Sequence, residues 1–583
     1  MYRVQRTAYS APKINTERLV FLSRIRQLSI FIFFLCGLLC TQYAVRADSA
    51  TAESAMVVTQ HPLATDAALQ ILKQGGNAAD AAITAQLVLN VVEPQSSGLG
   101  GGGFFLYYDR IKRSVTSLDG REVAPDSATP EMFLKDGKPM PFFPDRMTGG
   151  LAVGVPGTPA LIQKIYDRYA SGVLSIEKLA EPAIKLAEAG VPVSKSLAAH
   201  LAEHAERLSQ FPETKKIFFH EDGSYLKEGE VLIQTDLAKT LRLLKRVKKE
   251  NIFYDGEIAK AIQRAVSESP IHPASLTRMD LKKYTVIERD PIYSNYRGLD
   301  IFAPSIPTSG GVTLFESLNM LETFNLSEIG WDAQALHYIN ESQKIAFKDR
   351  QKLGDPGFSA IQVDQLISKE KGKENAGKIL QQKALHQTMP VQEDGKQTTH
   401  FSIVDRLGNL ASWTSTIEAP FGSGITVPGY GYLLNNELTD FDPDPRDASQ
   451  QLKANAPGPG KRPLSSMTPV FLFNKGKPLM ILGSPGGTTI MGTVLNVIVN
   501  YIDFAMTCEE AVAKPRIIFR GGKVEMEPEL YDHPLIRLQL ELWGHDAEKV
   551  DAIGNAQVVC FDDMHQEIDG VSDARGIGKA DGY

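Results

Sequence analysis

The sequence predicts a mixed α/β protein in which helices cover a stack of strands on both sides. Helical and strand-like patterns both occur, and two helical runs are almost entirely apolar, as helices buried against strands would be. The chain of 583 residues is long enough for a large core of several layers, and its hydrophobic fraction of 43% is that of an ordinary globular protein. Helices layered over strands are the natural packing for this mixture.

Each element follows from its local pattern. Before residue 368 the patterns predict a helical region over 56–94, with helices at 64–73 and 78–92, a further helix over 336–350, a strand over 104–109, and a charged, helix-rich region over 175–264. After residue 396 they predict strands over 400–405, 409–417, 470–473 and 479–482 and a buried helix over 489–502. The region between them, 368–396, is rich in Lys, Gln and Glu, which indicates a mobile, solvated linker.

The N-terminus differs from the rest of the chain. Basic residues surround a single acidic residue, Glu17, before an apolar run from Leu28 to Cys40, and Val45-Arg46-Ala47 has small residues where signal peptidase reads. We predict a signal peptide over residues 1–47 and a periplasmic or secreted protein. The alternative is an uncleaved membrane anchor, but the run of about 13 residues is shorter than the roughly 20 that a spanning helix needs.

Composition and motifs exclude several classes of function. The net charge of −7 is mild, and no basic patch indicates a nucleic-acid partner. No paired-cysteine zinc motif and no His-Glu-x-x-His occurs, so we expect no metal. The glycines of 98–103 have dinucleotide-site spacing, but a strand-like run follows where such a site needs a helix, so we expect no cofactor. The mature chain would keep only Cys508 and Cys560, which we expect to be buried thiols rather than a single bridge.

Two strands around a turn at 406–409 place two threonines together. If the hairpin is centred on Leu407, Val404 faces Leu410 and Thr398 faces Thr416, and a bulge would shift this register by one residue. A threonine hydroxyl is a weak nucleophile without an adjacent base. An α-amine, with a pKa of about 7.7–8.0, is such a base, but Thr398 has one only after the preceding peptide bond is cut. From the local pattern alone, Thr398 is better explained as an ordinary β-branched strand residue.

Longer motifs change that interpretation. They occur in this order: HPLA at 61–64, GGNAADAA at 75–82, EPQ at 93–95, GGGGF at 100–104, DGRE at 119–122, VPG at 155–157, PTSGG at 307–311, TTH at 398–400, LNN at 434–436, RPLSSM at 462–467 and GSPGG at 483–487. With them the sequence resembles, over about 56–583, the γ-glutamyltransferase (glutathione hydrolase) family of N-terminal-nucleophile hydrolases.

The resemblance implies a four-layer αββα sandwich made by one self-cleaved precursor. Cleavage between Gln397 and Thr398 would give a large subunit, 48–397, and a small catalytic subunit, 398–583, that remain together as a heterodimer. Thr398 would attack the γ-glutamyl amide of glutathione or a related compound, and water or the amino group of an amino acid or peptide would then take the acyl group. Thr416 matches the family's supporting threonine.

The resemblance also implies a set of substrate-binding groups. Arg121 matches the arginine that binds the α-carboxylate, and its planar fork suits a bidentate pair. Ser465 and Ser466 match hydroxyls that bind the same carboxylate. The acidic residues Glu437 and Asp440 match positions that receive the α-ammonium. Backbone N–H groups of Gly486 and Gly487 match the family's oxyanion hole. Their position fits this role, because glycines between the end of a strand and the start of a helix let backbone N–H groups face inward.

One position departs from the family pattern. Glu418 stands two residues after Thr416, where the family usually has Asn, and it adds negative charge beside Glu437 and Asp440.

Two other hypotheses for the function remain open. One is a related amidase of the same fold that acts on a β-lactam side chain or on poly-γ-glutamate. The other is a binding protein that keeps the fold, stays uncut and has no turnover.

Overall fold

Two sheets of seven strands each form the centre of the protein in the computed structural model. The structure describes residues 47–386, 389, 395, 397–562 and 564–583, without the side chains of 248 and 249. The predicted signal peptide therefore lies, apart from its last residue, outside the described part of the chain. No helix within the described ranges is long and apolar enough to cross a membrane.

The strands are numbered in chain order. They are β1 Asp48–Ala52, β2 Met56–Thr59, β3 Gly102–Asp109, β4 Ser114–Gly120, β5 Leu134–Lys135, β6 Lys138–Pro139, β7 Val191–Pro192, β8 Val231–Leu232, β9 Ile287–Arg289, β10 Ile292–Tyr296, β11 Leu299–Ala303, β12 Gln397–Val404, β13 Leu410–Glu418, β14 Val470–Asn474, β15 Lys477–Gly483, β16 Ile517–Phe519, β17 Val524–Met526, β18 Ala547–Lys549, β19 Gln557–Asp562, β20 Glu567–Ser572 and β21 Lys579–Gly582.

The α-helices are numbered in the same way. They are α1 Pro62–Lys73, α2 Ala78–Val92, α3 Thr158–Tyr169, α4 Ile176–Ala189, α5 Lys195–Leu208, α6 Pro212–Phe218, α7 Thr235–Arg242, α8 Val247–Glu250, α9 Glu257–Ser267, α10 Arg278–Lys283, α11 Gly310–Leu321, α12 Leu326–Ile329, α13 Ala333–Arg350, α14 Val363–Leu366, α15 Lys369–Ala376, α16 Thr489–Ile502, α17 Cys508–Ala513, α18 Pro528–Tyr531 and α19 Pro534–Leu542. The individual helices and strands predicted from the sequence are all present, with ends that differ by a few residues. The start of the region predicted to be helical was wrong, because residues 56–59 form strand β2 of the central sheet.

The two large sheets stack face to face. One has the order β1-β20-β19-β15-β14-β11-β10 and the other β21-β2-β12-β13-β3-β4-β9. Apolar side chains from both sheets, among them Met56, Leu106, Phe471 and Ile481, fill the space between them. Two larger apolar clusters join the outer face of each sheet to a layer of helices. The predicted αββα sandwich is thereby confirmed.

Helix α2 shows how the sequence builds an outer layer. Asn77 and Asp80 form a reciprocal capping box that fixes the start of the helix, and every residue of α2 is buried. Most of its buried side chains are alanine, valine or leucine, so the helix packs directly on β12 and β13. These two strands carry Thr398 and Thr416, and the helix therefore fixes the layer in which the candidate site lies.

The hairpin register predicted from the sequence is confirmed. Val404 pairs with Leu410, and Thr398 pairs with Thr416. A register shift between Gln397 and Thr398 interrupts the ladder one residue before Thr398. A bulge does occur, but it lies at the end of the hairpin and leaves the threonine pair in place.

Two further expectations were wrong. The first part of the predicted linker is folded: α15 lies within it, and Ala376 and Ile379 pack into an apolar cluster. Its residues 387, 388, 390–394 and 396 lie outside the described part of the chain. The cysteines are not free thiols, because Cys508 and Cys560 form a disulfide between α17 and β19. The pairing depends on elements 52 residues apart in sequence, so local patterns did not reveal it.

Candidate active site

Thr398 and Thr416 face each other at one end of the central hairpin. Both side chains are buried, and the Thr398 hydroxyl lies 3.4 Å from Thr416 Oγ1, to which it donates. The Thr416 hydroxyl in turn donates a 2.6 Å hydrogen bond to the main-chain carbonyl of Gln397, and Thr416 Oγ1 accepts from the N–H of Glu418 at 2.8 Å. One hydroxyl thus contacts both the candidate nucleophile and the carbonyl of the bond in front of it.

Gly486 and Gly487 lie between β15 and α16. Both have positive φ, 126° and 57°, a conformation that glycine adopts at little cost. A side chain at Gly486 would also approach Thr489 Oγ1 to 2.3 Å. Gly487 lines the same pocket as Thr398. The sequence therefore needs glycine here to turn the backbone beside the candidate nucleophile.

Arg121 follows the end of β4 and is fully buried. Its Nε donates to the carbonyl of Pro463 at 3.1 Å, and Nη2 donates to the carbonyl of Leu464 at 3.0 Å. The two ends of the guanidinium also pair with Glu437 and, at 2.5 Å, with Asp440. Two carbonyls and two carboxylates therefore hold the guanidinium in one orientation.

A second buried carboxyl group lies beside this arginine. Glu122 Oε2 is 3.8 Å from Arg121 Nη1, and the Glu122 side chain is fully buried. Burial raises the pKa of Glu122 to about 8, against the opposing effect of Arg121. The Glu122 carboxyl is therefore mostly protonated at neutral pH, and Glu437 and Asp440 are the carboxylates that hydrogen-bond to Arg121.

The two serines are oriented by donors from the protein. Ser465 Oγ accepts from the N–H of Met467 at 3.2 Å, and Ser466 Oγ accepts from Arg350 Nη2 at 3.1 Å. Arg350 Nε donates to Ser309 Oγ at 2.8 Å, which fixes the guanidinium. Because each serine oxygen already accepts a hydrogen bond, each hydroxyl proton can be donated into the pocket.

Glu418 ends β13 in an unusual conformation. Its φ of 80° lies in the left-handed region, which a non-glycine residue adopts only at some cost. Its Oε2 accepts from the side-chain amide of Asn436, whose Oδ1 accepts from the N–H of Ala419 at 2.9 Å. Asn436 therefore fixes the position of the Glu418 carboxylate.

Nine of the ten site residues predicted from the sequence line one pocket, and the tenth, Gly486, is the neighbour of the lining residue Gly487. They are Arg121, Thr398, Thr416, Glu418, Glu437, Asp440, Ser465, Ser466 and Gly487. Their individual roles stay a prediction. Sequence reasoning missed Arg350 and the role of Asn436, because their contacts join residues far apart in sequence.

One cluster outside this pocket has the composition of a metal site. His337 and Glu341 lie one turn apart on α13, His545 lies across from them, and all three are buried. The nitrogens of the two histidines are already hydrogen-bonded, however. His337 Nε2 donates to the carbonyl of Leu380 at 2.7 Å, so that His337 Nδ1 accepts from His545 Nε2 at 2.7 Å.

A lysine completes this network. Lys344 Nζ lies 2.8 Å from Glu341 Oε1 and 3.4 Å from His545 Nδ1. Burial and the lysine lower the pKa of His545 to about 2, so that its imidazole is neutral. The ammonium group already contacts two of the three groups that would hold a metal ion, and the cluster is better explained as a hydrogen-bonded network than as a metal site.

Comparisons with known proteins identify the family of the chain. The profile of the gamma-glutamyltranspeptidase family matches residues 64–583. The chain belongs to this family. The resemblance drawn from the motifs is confirmed, and the protein is an enzyme of the γ-glutamyltransferase family.

Similar proteins cover almost all of the chain. It is 39% identical over 556 residues to the glutathione hydrolase proenzyme of Bacillus subtilis (strain 168), which covers 90% of this chain and 91% of that protein. It is 35% identical over 541 residues to the glutathione hydrolase proenzyme of Escherichia coli (strain K12), with 90% and 91% covered. The crystal structure of cephalosporin acylase from Bacillus halodurans is similar with a TM-score of 0.81 and 28% identity, covering 92% of this chain and 97% of that one.

Proposed function

We propose that the protein is a γ-glutamyl hydrolase and transferase that is made as a precursor and becomes active when the bond between Gln397 and Thr398 is cut. The observation that carries this proposal is the position of Thr416. Its hydroxyl donates to the Gln397 carbonyl at 2.6 Å while its oxygen accepts from the Thr398 hydroxyl. The Thr416 hydroxyl thus contacts both the nucleophile, Thr398 Oγ1, and the carbonyl of the bond that is to be cut.

Maturation would be an intramolecular acyl transfer. Thr398 Oγ1 attacks the carbonyl carbon of Gln397, the C–N bond breaks, and the Thr398 nitrogen takes up the proton that the hydroxyl loses. The resulting ester is hydrolysed by water, which leaves a carboxylate on Gln397 and a free α-amine on Thr398. That amine is the base that the threonine hydroxyl lacks in the precursor.

Turnover would use the same hydroxyl. The α-amine takes the Thr398 proton as Oγ1 attacks the γ-glutamyl carbonyl, and backbone N–H groups of Gly486 and Gly487 stabilise the oxyanion. The proton then passes to the leaving amine, and the γ-glutamyl group stays on Thr398 as an ester. Water, or the amino group of an amino acid or peptide, takes the acyl group in the second step.

The pocket has the charges that a γ-glutamyl group needs. Arg121 and the hydroxyls of Ser465 and Ser466 would bind the α-carboxylate, and Glu418, Glu437 and Asp440 would bind the α-ammonium, with each of these three carboxylates accepting a charge-assisted hydrogen bond. Substrate would thereby replace contacts that Arg121 now makes with Glu437 and Asp440. Glutathione and related γ-glutamyl compounds carry both groups.

The two products of cleavage would stay together as a heterodimer. Strand β12 of the small subunit pairs with β2, and β13 pairs with β3, and both β2 and β3 precede the cut. These ladders do not include the Gln397–Thr398 bond, so cleavage leaves them intact. The large subunit is therefore proposed to be 48–397 and the small subunit 398–583.

We also propose export, with residues 1–47 as the signal peptide. The disulfide between Cys508 and Cys560 supports this placement, since disulfides persist in the periplasm and outside the cell and are rare in the cytosol. A periplasmic or secreted enzyme would meet extracellular γ-glutamyl compounds.

A related amidase remains the second candidate, because the similar Bacillus halodurans structure is a cephalosporin acylase. The carboxylates that would bind an α-ammonium favour the first. Comparing glutathione with a glutaryl amide, which lacks the α-amino group, separates the two: a faster reaction with the glutaryl amide would support the amidase.

The test uses the mature protein and a Thr398→Ala variant on a denaturing gel and in an assay with a γ-glutamyl anilide. The wild type should give two bands and turn over the anilide, whereas the variant should give one band and no turnover. Thr399→Val is the matched control, because the buried Thr399 hydroxyl has no hydrogen-bond partner among the described residues. A single uncut band for the wild type, or equal activity in Thr398→Ala, would contradict the proposal.

A further inference from the structure

The side chain of Gln397, the residue before the proposed cut, is held at both ends. Its Nε2 lies 2.8 Å from His200 Nε2, and its Oε1 accepts from the Ser96 hydroxyl at 3.3 Å. Ser96 is buried and His200 is half-buried. Both belong to the part of the chain that precedes the cut, and they lie far from Gln397 in sequence.

The hydrogen bonds define which group donates. His200 Nδ1 lies 2.8 Å from the main-chain carbonyl of Ser196 and donates to it. His200 Nε2 is then an acceptor and takes a hydrogen from the Gln397 amide, while Ser96 donates to the amide oxygen. The two partners together fit a carboxamide, because a carboxylate has no N–H to donate to His200.

Both holding groups are anchored to the end of strand β13. The carbonyl of Ser96 accepts from the N–H of Ile417 at 3.3 Å. His200 lies on α5, and Arg207 of the same helix donates to the carbonyls of Pro420 and Gly422 at 2.5 and 2.9 Å. The Gln397 side chain is therefore fixed relative to the same strand that carries Thr416.

Regular strand pairing is interrupted at Gln397, which pairs with Glu418 while Thr398 pairs with Thr416. The ladder between β12 and β13 shifts register between Gln397 and Thr398. Gly395 is held separately, since its N–H donates to Glu418 Oε1 at 2.6 Å and a Cβ there would come within 2.3 Å of the Cα of Ala419. Gln397, whose carbonyl carbon must be attacked, is thus the residue at which the strand ladder is interrupted, and its side chain is held by His200 and Ser96.

We propose that His200 and Ser96 form a carboxamide clamp that positions Gln397 for self-cleavage and has no part in the turnover of the mature enzyme. The clamp rests on the proposed function. It keeps the Gln397 carbonyl on the Thr416 hydroxyl and its carbon within reach of Thr398 Oγ1. Once the bond is cut, the C-terminal end of the large subunit is no longer tied to Thr398, and the clamp has completed its role.

The experiment follows newly synthesised full-length chains in a cell-free pulse-chase and measures conversion of the precursor band to two subunit bands. His200→Ala and Gln397→Glu should each slow conversion about tenfold, because a small misplacement of reacting groups is costly, and Ser96→Ala about threefold. His200→Gln should restore part of the rate, since a carboxamide oxygen can accept the same hydrogen bond. His220→Ala is the matched control, because His220 is an exposed histidine paired with Glu230.

The second readout is kcat/KM per cleaved molecule after conversion is complete, together with Tm. Both should equal the wild-type values in the His200→Ala and Ser96→Ala variants. Wild-type conversion rates in His200→Ala and Ser96→Ala, or a loss of kcat/KM as large as the loss of conversion rate, would overturn the clamp. A wild-type chain that is never cut before Thr398 would instead contradict the proposed function itself.

Discussion

The hydroxyl of Thr416 donates a 2.6 Å hydrogen bond to the main-chain carbonyl of Gln397. The contact joins a residue near the end of β13 to the first residue of β12. It exists because Thr398 pairs with Thr416 while the register shifts one residue earlier, which turns the Gln397 carbonyl toward the opposite strand.

Removing the Thr416 hydroxyl should slow self-cleavage. In Thr416→Val the shape is kept, but the Gln397 carbonyl loses its donor, and we expect conversion about 100-fold slower, as when one donor to an oxyanion is removed. Thr416→Ser should retain most of the rate. The measurement is a gel time course of newly made precursor, and wild-type conversion in Thr416→Val would show that this hydroxyl is not used.

Arg350 should support carboxylate binding through Ser466. Without its hydrogen bond, the Ser466 hydroxyl loses its orientation, and Arg350→Lys should raise KM for a γ-glutamyl anilide about tenfold with little change in kcat. The double variant with Ser466→Ala should show less than the sum of the two effects, because both act on one contact. Arg446→Lys, which changes an exposed ion pair, is the control. Fully additive effects on KM in the double variant would show that Arg350 does not act through Ser466.

The charge of Glu418 should matter for substrate more than for maturation. Glu418→Gln keeps an oxygen that can accept from the N–H of Gly395, so conversion of the precursor should remain near wild type. The loss of a charge-assisted hydrogen bond to the α-ammonium should raise KM about tenfold. A glutaryl amide, which lacks that ammonium, should be unaffected. Equal changes in KM for both substrates would place Glu418 away from the ammonium.

Glu122 should make stability fall as pH rises. Its pKa is about 8 in the folded protein and near 4.5 when unfolded, so between these values the unfolded chain binds fewer protons and the free energy of unfolding decreases. The contribution of Glu122 to the free energy of unfolding is fully present below pH 4.5 and is lost as the pH rises through 8. The loss is on the order of a few kcal/mol. Glu122→Gln cannot ionise, so its Tm should exceed the wild-type Tm by more at pH 8 than at pH 5.

The control for this titration is Glu131→Gln, at an exposed carboxylate paired with Arg446. Its Tm should follow the wild-type curve at every pH. Parallel curves for Glu122→Gln and the wild type would mean that Glu122 has the same pKa in the folded and unfolded protein.

Local patterns predicted the central hairpin well because turn residues and alternating strands specify register over a short distance. The pair Thr398 and Thr416 followed from a turn centred on Leu407, and the structure has that pair. Local patterns failed where contacts between residues far apart in sequence determine the structure. The polar segment around α15 was expected to be solvated, but Ala376 and Ile379 pack into an apolar cluster and the helix lies against α11.

The sequence by itself determined the family, because its long motifs are local in sequence, and the family resemblance implied the αββα layers and nine of the residues that line the pocket. Only the tertiary structure decided how those residues meet. It tied Ser466 to Arg350, joined Cys508 to Cys560, and placed His200 and Ser96 on the side chain of Gln397. Hydrogen bonds between residues hundreds of positions apart depend on distance and angle in the folded chain, and no spacing along the sequence encodes them.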